Sequence, residues 1–105
     1  MTLIELVTIL KSAGYPVAYS HFDSPPALPY IAYIDDESTN FNADNIVYYS
    51  VKNPTIELYT NKKDLNAESA LETALNDSEL PFELISEVYI ESERMFQRSY
   101  SISVI

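Results

Sequence analysis

His21 and Asp23 are the first residues of this chain whose types and spacing could do chemistry. An imidazole near a carboxylate can act as a general base or a metal ligand. His21 is the only histidine and there is no cysteine, so neither a multi-histidine metal site nor a thiolate nucleophile can be built. No serine lies in a nucleophile-elbow context. The expected role of His21 is therefore a hydrogen bond within its own loop, which the paired prolines Pro25 and Pro26 keep out of any strand ladder.

The acidic stretch Asp35, Asp36, Glu37, Ser38, Thr39 and Asn40 resembles a calcium loop in composition. It fails as an EF-hand, because Phe41 occupies the turn position that requires glycine and Val47 stands where the bidentate glutamate belongs. A solvated connection is expected instead. Gly14 is the single glycine, which leaves no Gly-rich loop to cradle a phosphate. The residues thus point to no catalytic site, no cofactor and no metal; the expectation is a protein that is not an enzyme.

Two further features invite use. Tyr30, Tyr33, Tyr48 and Tyr49 belong to a set of 9 tyrosines without basic neighbours among them, a pattern suited to core packing and protein contacts more than to base stacking. Residues 64–93 hold nine acids, among them Glu68 and Glu72, and no lysine or arginine. The plain expectation for these acids is a solvated helix face, yet so many like charges repel one another, and an acidic face with Glu68 and Glu72 at its centre is a candidate surface.

The elements that position these residues follow from the spacing of apolar side chains. Thr2 and Glu5 stand at capping-box spacing ahead of Leu3, Leu6, Val7 and Leu10, which predicts a helix over residues 3–12 closed by Gly14. Residues 17–19 and 28–34 read as strands, and residues 35–44 as an exposed polar connection. Strands are predicted over 46–51 and 55–60, with Ile56 and Leu58 inward, or as one long strand with a bulge at Pro54. Asp64 caps a second predicted helix, whose Ala67, Ala70, Leu71, Ala74 and Leu75 share one face while Glu68, Glu72 and Asn76 share the wet one. Residues 82–91 and 95–105 predict a terminal hairpin around Ser92 and Glu93. The whole of 1–105 reads as one α+β domain: a largely antiparallel four- or five-stranded sheet with two helices on one face. Its core is expected to include Leu6, Leu10, Ile31, Ile56, Leu58, Leu71, Leu75 and Ile102.

Charge narrows the partners. Six basic residues against 16 acidic ones give a formal charge of −10, which disfavours binding to nucleic acid through a basic groove and adsorption to an anionic membrane. The first residues lack a basic leader and no apolar run is long enough to span a bilayer, so cytoplasmic synthesis is expected.

Several ordered segments carry a resemblance. Pro16 to Phe22 after a short amphipathic helix, Leu28 to Tyr33, Asn40 to Asn45, Glu57 to Asp64 and Glu91 to Phe96 resemble small neck and tail proteins of long-tailed phages and prophages of Gram-positive bacteria. Within that group the chain looks most like the tail-terminator, or tail-completion, type. The resemblance implies a structural subunit that assembles with itself into a ring, commonly a hexamer, on the head-proximal end of the tail tube, with tail-tube and head-tail connector proteins as partners. A head-tail joining or stopper protein is the neighbouring possibility. An acidic inhibitor that occupies the basic site of a DNA-binding protein is the alternative from another class. For a ring subunit, contacts are expected from Asn40, Phe41, Asn42, Asp44, Asn45 and Tyr48, and Lys52, Lys62, Lys63, Arg94 and Arg98 are available for pairs between subunits.

Overall fold

The capping box forms as the spacing predicts. In a computed structural model that describes residues 2–35 and 54–103, the Thr2 hydroxyl accepts from the Glu5 backbone N–H at 3.2 Å and the Glu5 carboxylate accepts in return from the Thr2 backbone N–H at 3.4 Å. Helix α1, Leu3–Lys11, follows with Leu3, Leu6 and Leu10 buried. Gly14 then turns the chain at a φ of 96°, a left-handed conformation that glycine adopts without a side-chain clash.

Strands β1 (Val17–Tyr19), β2 (Tyr30–Asp35) and β3 (Pro54–Thr60) come next, then helix α2 (Leu65–Asp77) and the hairpin β4 (Phe82–Ile90) and β5 (Met95–Ile102). They form one α+β unit with a five-stranded sheet in the order β1-β2-β3-β5-β4. Among the described residues only the β1–β2 pairing is parallel; β2–β3, β3–β5 and β4–β5 are antiparallel. The sheet is therefore mixed, and largely antiparallel as expected. The second predicted strand of the middle region, residues 46–51, lies outside the described residues.

Strand alternation decides which residues reach the helices. On β3 the burial alternates strictly, with Pro54, Ile56, Leu58 and Thr60 inward. The register carries that face across the sheet: Ile31 pairs with Leu58 on one side, and Tyr100 pairs with Ile56 on the other. These side chains join Leu3, Leu6 and Leu10 of α1 and Ala67, Leu71 and Leu75 of α2 in one buried cluster. All eight expected core residues are buried, and Leu3, Tyr33, Ala67, Leu80 and Tyr100 join them.

Helix α2 starts where Asp64 accepts from the Ala67 backbone N–H at 3.0 Å. Its end is more than the polar run that the sequence suggests. The Leu80 N–H bonds back to the Leu75 carbonyl at 2.9 Å and the Glu79 N–H to the Asn76 carbonyl at 3.0 Å, the paired bonds of a Schellman cap. Glu79 holds the left-handed position, φ 57°, that glycine usually fills. Buried Leu80 then packs in the same cluster as Leu75, an apolar contact that offsets the strain at Glu79.

Candidate interaction surface

Arg98 on β5 projects from the core-facing side of the sheet, in register with Leu58 on one neighbour and Glu87 on the other. Helix α2 lies above it and lowers Glu68 and Glu72 onto the guanidinium. Arg98 Nε is 3.5 Å from Glu68 Oε1, Nη2 is 3.6 Å from Glu72 Oε2, and Nη1 is 3.2 Å from Glu87 Oε1. The Nε–H also donates to the Tyr100 hydroxyl at 2.7 Å, and that hydroxyl donates to Glu72 Oε2 at 2.7 Å. Lys63, at the entrance to α2, closes the network with 2.9 Å contacts to both Glu68 and Glu87.

The electrostatics follow from this geometry. Burial works against the charge of Arg98, but the Tyr100 hydrogen bond and the carboxylates of Glu68 and Glu87 outweigh it and raise its pKa above the ordinary arginine value. Burial and the neighbouring Glu72 carboxylate push the Tyr100 hydroxyl up, so it remains a neutral donor. The Lys63 hydrogen bond, with Arg98 behind it, holds the Glu87 carboxyl below the usual range against the opposing effect of burial.

This arrangement corrects the reading of the acidic face. Glu68 is 8% exposed, not a wet residue, and Glu72 is half-buried; Asn76 alone of the three is exposed. Lys63 and Arg98, expected to be available between subunits, are paired within the chain. The physical reason is a long-range one: Arg98 comes from a strand that sequence reading could not align beneath Glu68.

Strand β4 is the outer strand next to β5, and among the described residues it pairs on one side only. Four large apolar side chains stand exposed along it: Leu84, Ile85, Val88 and Tyr89, at 44%, 56%, 45% and 51%. The register slips between Leu84 and Ser86, so Ile85 sits in a bulge. Sequence alternation had no way to mark this strand as an edge, because burial on each side depends on strand order.

The opposite face of the sheet carries a second, smaller feature. Phe22 meets Tyr30 edge-on with centroids 5.1 Å apart, and Tyr30 meets Tyr59 at 5.2 Å. With Ile90, Met95 and His21 they line an open hollow of about 210 Å³. Beside it, the Gln97 amide donates to both the Tyr59 hydroxyl and Glu57 at 2.9 Å, and Tyr59 donates to Glu57 at 3.1 Å. Burial first, then the nearby Glu57 charge, pushes the Tyr59 pKa up to about 12.

His21 makes the local contacts expected of it: Nδ1 is 3.3 Å from Ser20 Oγ and Nε2 is 3.5 Å from Asp23 Oδ1. The order serine, histidine, aspartate is that of a triad, but the Asp23 side chain is wholly exposed, and an aspartate that orients a catalytic imidazole is buried. Among the described residues no cluster of His, Asp and Glu could hold a metal ion, and no helix is long and apolar enough to cross a membrane. Asp36 and Ser38 of the calcium-like stretch, and the expected contact residues Asn40, Phe41, Asn42, Asp44, Asn45 and Tyr48, lie outside the described residues. Comparison with protein-family models, with curated proteins and with solved structures finds no match for this chain.

Proposed function

We propose that this chain is a structural subunit of a phage or prophage neck, of the tail-terminator type, which assembles with itself into a ring at the head-proximal end of the tail tube. The observation that supports an assembly role most is the outer strand β4, where four exposed apolar side chains offer a contact surface to another component of the particle; the ring itself is what the resemblance implies. The order of the segments that resemble neck and tail proteins supports the more specific reading. Self-contact is assigned to the segment bearing Asn40, Phe41, Asn42, Asp44, Asn45 and Tyr48.

The acidity is compatible with a lumen through which DNA passes, since a negative wall does not retain phosphate. That role falls to exposed acids and not to Glu68, which is covered. Native mass spectrometry and negative-stain imaging, with and without tail-tube protein from a phage of a Gram-positive host, test the proposal. The expected result is a ring, alone or on the tube end, that is lost on deletion of Phe41 to Ala43 while the remaining fold is kept. A small species that never assembles and instead titrates a basic DNA-binding protein would replace this reading with that of an acidic inhibitor.

A further inference from the structure

The charge pattern along β4 distinguishes what can pair with it. Its apolar centre, Leu84 to Tyr89, is flanked by exposed Glu79 and Glu83 at one end and exposed Glu91 and Glu93 at the other, with Arg94 the one cation at the hairpin turn. Glu87, in the middle, is already neutralised by Lys63 and Arg98 at 2.9 and 3.2 Å. An incoming strand therefore meets an apolar middle and two acidic ends.

A second copy of this chain fits poorly. Two-fold antiparallel pairing of β4 with itself, centred near Ser86, brings Glu91 and Glu93 of one copy against the Glu79 and Glu83 end of the other. Within that ladder Glu83 falls opposite Tyr89, and the acids gathered just beyond each of its ends repel one another. The other described edge, β1, has three residues, too short to pair with the nine of β4. The geometry points to a different occupant: an extended segment of another protein, apolar at its centre and basic at both ends, that adds to the sheet as a strand beside β4. Main-chain hydrogen bonds supply affinity in this mode, and the alternating side chains supply specificity. This deepens the assembly reading by assigning β4 to a different component of the particle, and leaves self-contact to other surfaces.

The test uses a labelled synthetic peptide, Lys-Lys-Val-Thr-Val-Thr-Val-Lys-Lys, and the same peptide with glutamate in place of lysine. Fluorescence anisotropy with the full chain at low salt should show the lysine peptide binding about tenfold tighter, a preference that shrinks as salt screens the strand ends. The exposed pair Ile85→Thr and Val88→Thr should weaken binding about tenfold, with the melting curve checking that the fold is kept. Glu83→Gln with Glu91→Gln should flatten the salt dependence. Hydrogen exchange should show new protection at β4 amides in the complex.

Equal binding of the two peptides, or binding indifferent to Ile85→Thr and Val88→Thr, would overturn the proposal. So would the absence of binding at millimolar peptide, which would make the acids and the bulge a guard against edge pairing and nothing more. A dimer of the free protein that Ile85→Thr and Val88→Thr dissolves would assign β4 to a second copy instead. None of these outcomes decides ring formation, which the native-mass measurement reads separately.

Discussion

Helix α2 covers two regions of unlike chemistry. Along one flank Ala67, Leu71 and Leu75 pack with Ile56 and Leu58 of the sheet and Leu6 of α1 in a buried apolar cluster. Along the other, Glu68 and Glu72 reach down to Arg98, Tyr100, Glu87 and Lys63. The first region is stabilised by removal of apolar surface from water, which is non-directional and involves no titrating group. The second depends on direction: carboxylates brought into a half-dry site raise the energy of the fold unless a cation meets them. The apolar flank thus holds α2 to the sheet, whereas the ionic flank fixes where the helix sits along β5 and how the hairpin β4–β5 lies beneath it.

The largest effect that separates the two belongs to the apolar flank. Leu71 is fully buried, and Leu71→Ala should lower stability by about 2–5 kcal/mol, the combined loss of transfer energy and cavity formation. Urea denaturation read by circular dichroism checks it. A loss below about 0.5 kcal/mol, the range of surface substitutions, would mean that the apolar flank does not hold the helix.

Arg98→Ala comes next. Its side chain is 17% exposed, and its removal leaves Glu68, Glu72 and Glu87 facing one another with Lys63 as their only cation among the described residues. The expected loss is about 1–3 kcal/mol, below that of a wholly buried pair because solvent reaches part of the cluster. Arg98→Lys should recover little of it, since an ammonium cannot present several donors in one plane to three carboxylates and a hydroxyl. Full recovery by lysine, in the same urea series, would reduce the cluster to a simple charge balance.

The contrast also explains what could be read before the structure. Apolar spacing located α1, β3 and α2 and the inward Ile56, Leu58, Leu71 and Leu75, because burial of a helix or strand face is periodic in the sequence itself. Thr2, Glu5 and Asp64 were legible as caps for the same local reason. The cluster at Arg98 was not. It joins Lys63, Glu68, Glu72, Glu87 and Arg98 through the pairing of β4 with β5 and the docking of α2, and no spacing in the chain records that. The exposure of Leu84, Val88 and Tyr89 was hidden likewise, because an apolar residue in a strand looks inward until strand order shows the strand to be an edge. Glu79 in a left-handed cap departs from the residue preference that would have announced it.

The smallest expected effect, and the one specific to the ionic flank, is a pH dependence at Glu87. Its carboxyl is held below the ordinary value of 4.5 chiefly by the Lys63 hydrogen bond, then by Arg98. A carboxyl whose folded pKa is depressed binds fewer protons in the folded chain than in the unfolded one, so its stabilisation is present above pH 4.5 and is lost as pH falls through the folded value. Glu87→Gln keeps the size of the side chain and removes the titration. Near neutral pH the variant should be less stable by under about 1 kcal/mol, since Glu87 is partly exposed and salt screens it. The gap between the two proteins should then close as the pH is lowered past 4.5, measured by urea denaturation at fixed ionic strength, while Leu71→Ala keeps its own deficit throughout. A Glu87→Gln deficit that stays constant across that range would show that Glu87 acts through packing beneath α2, and that the two flanks of the helix differ less in chemistry than their residues suggest.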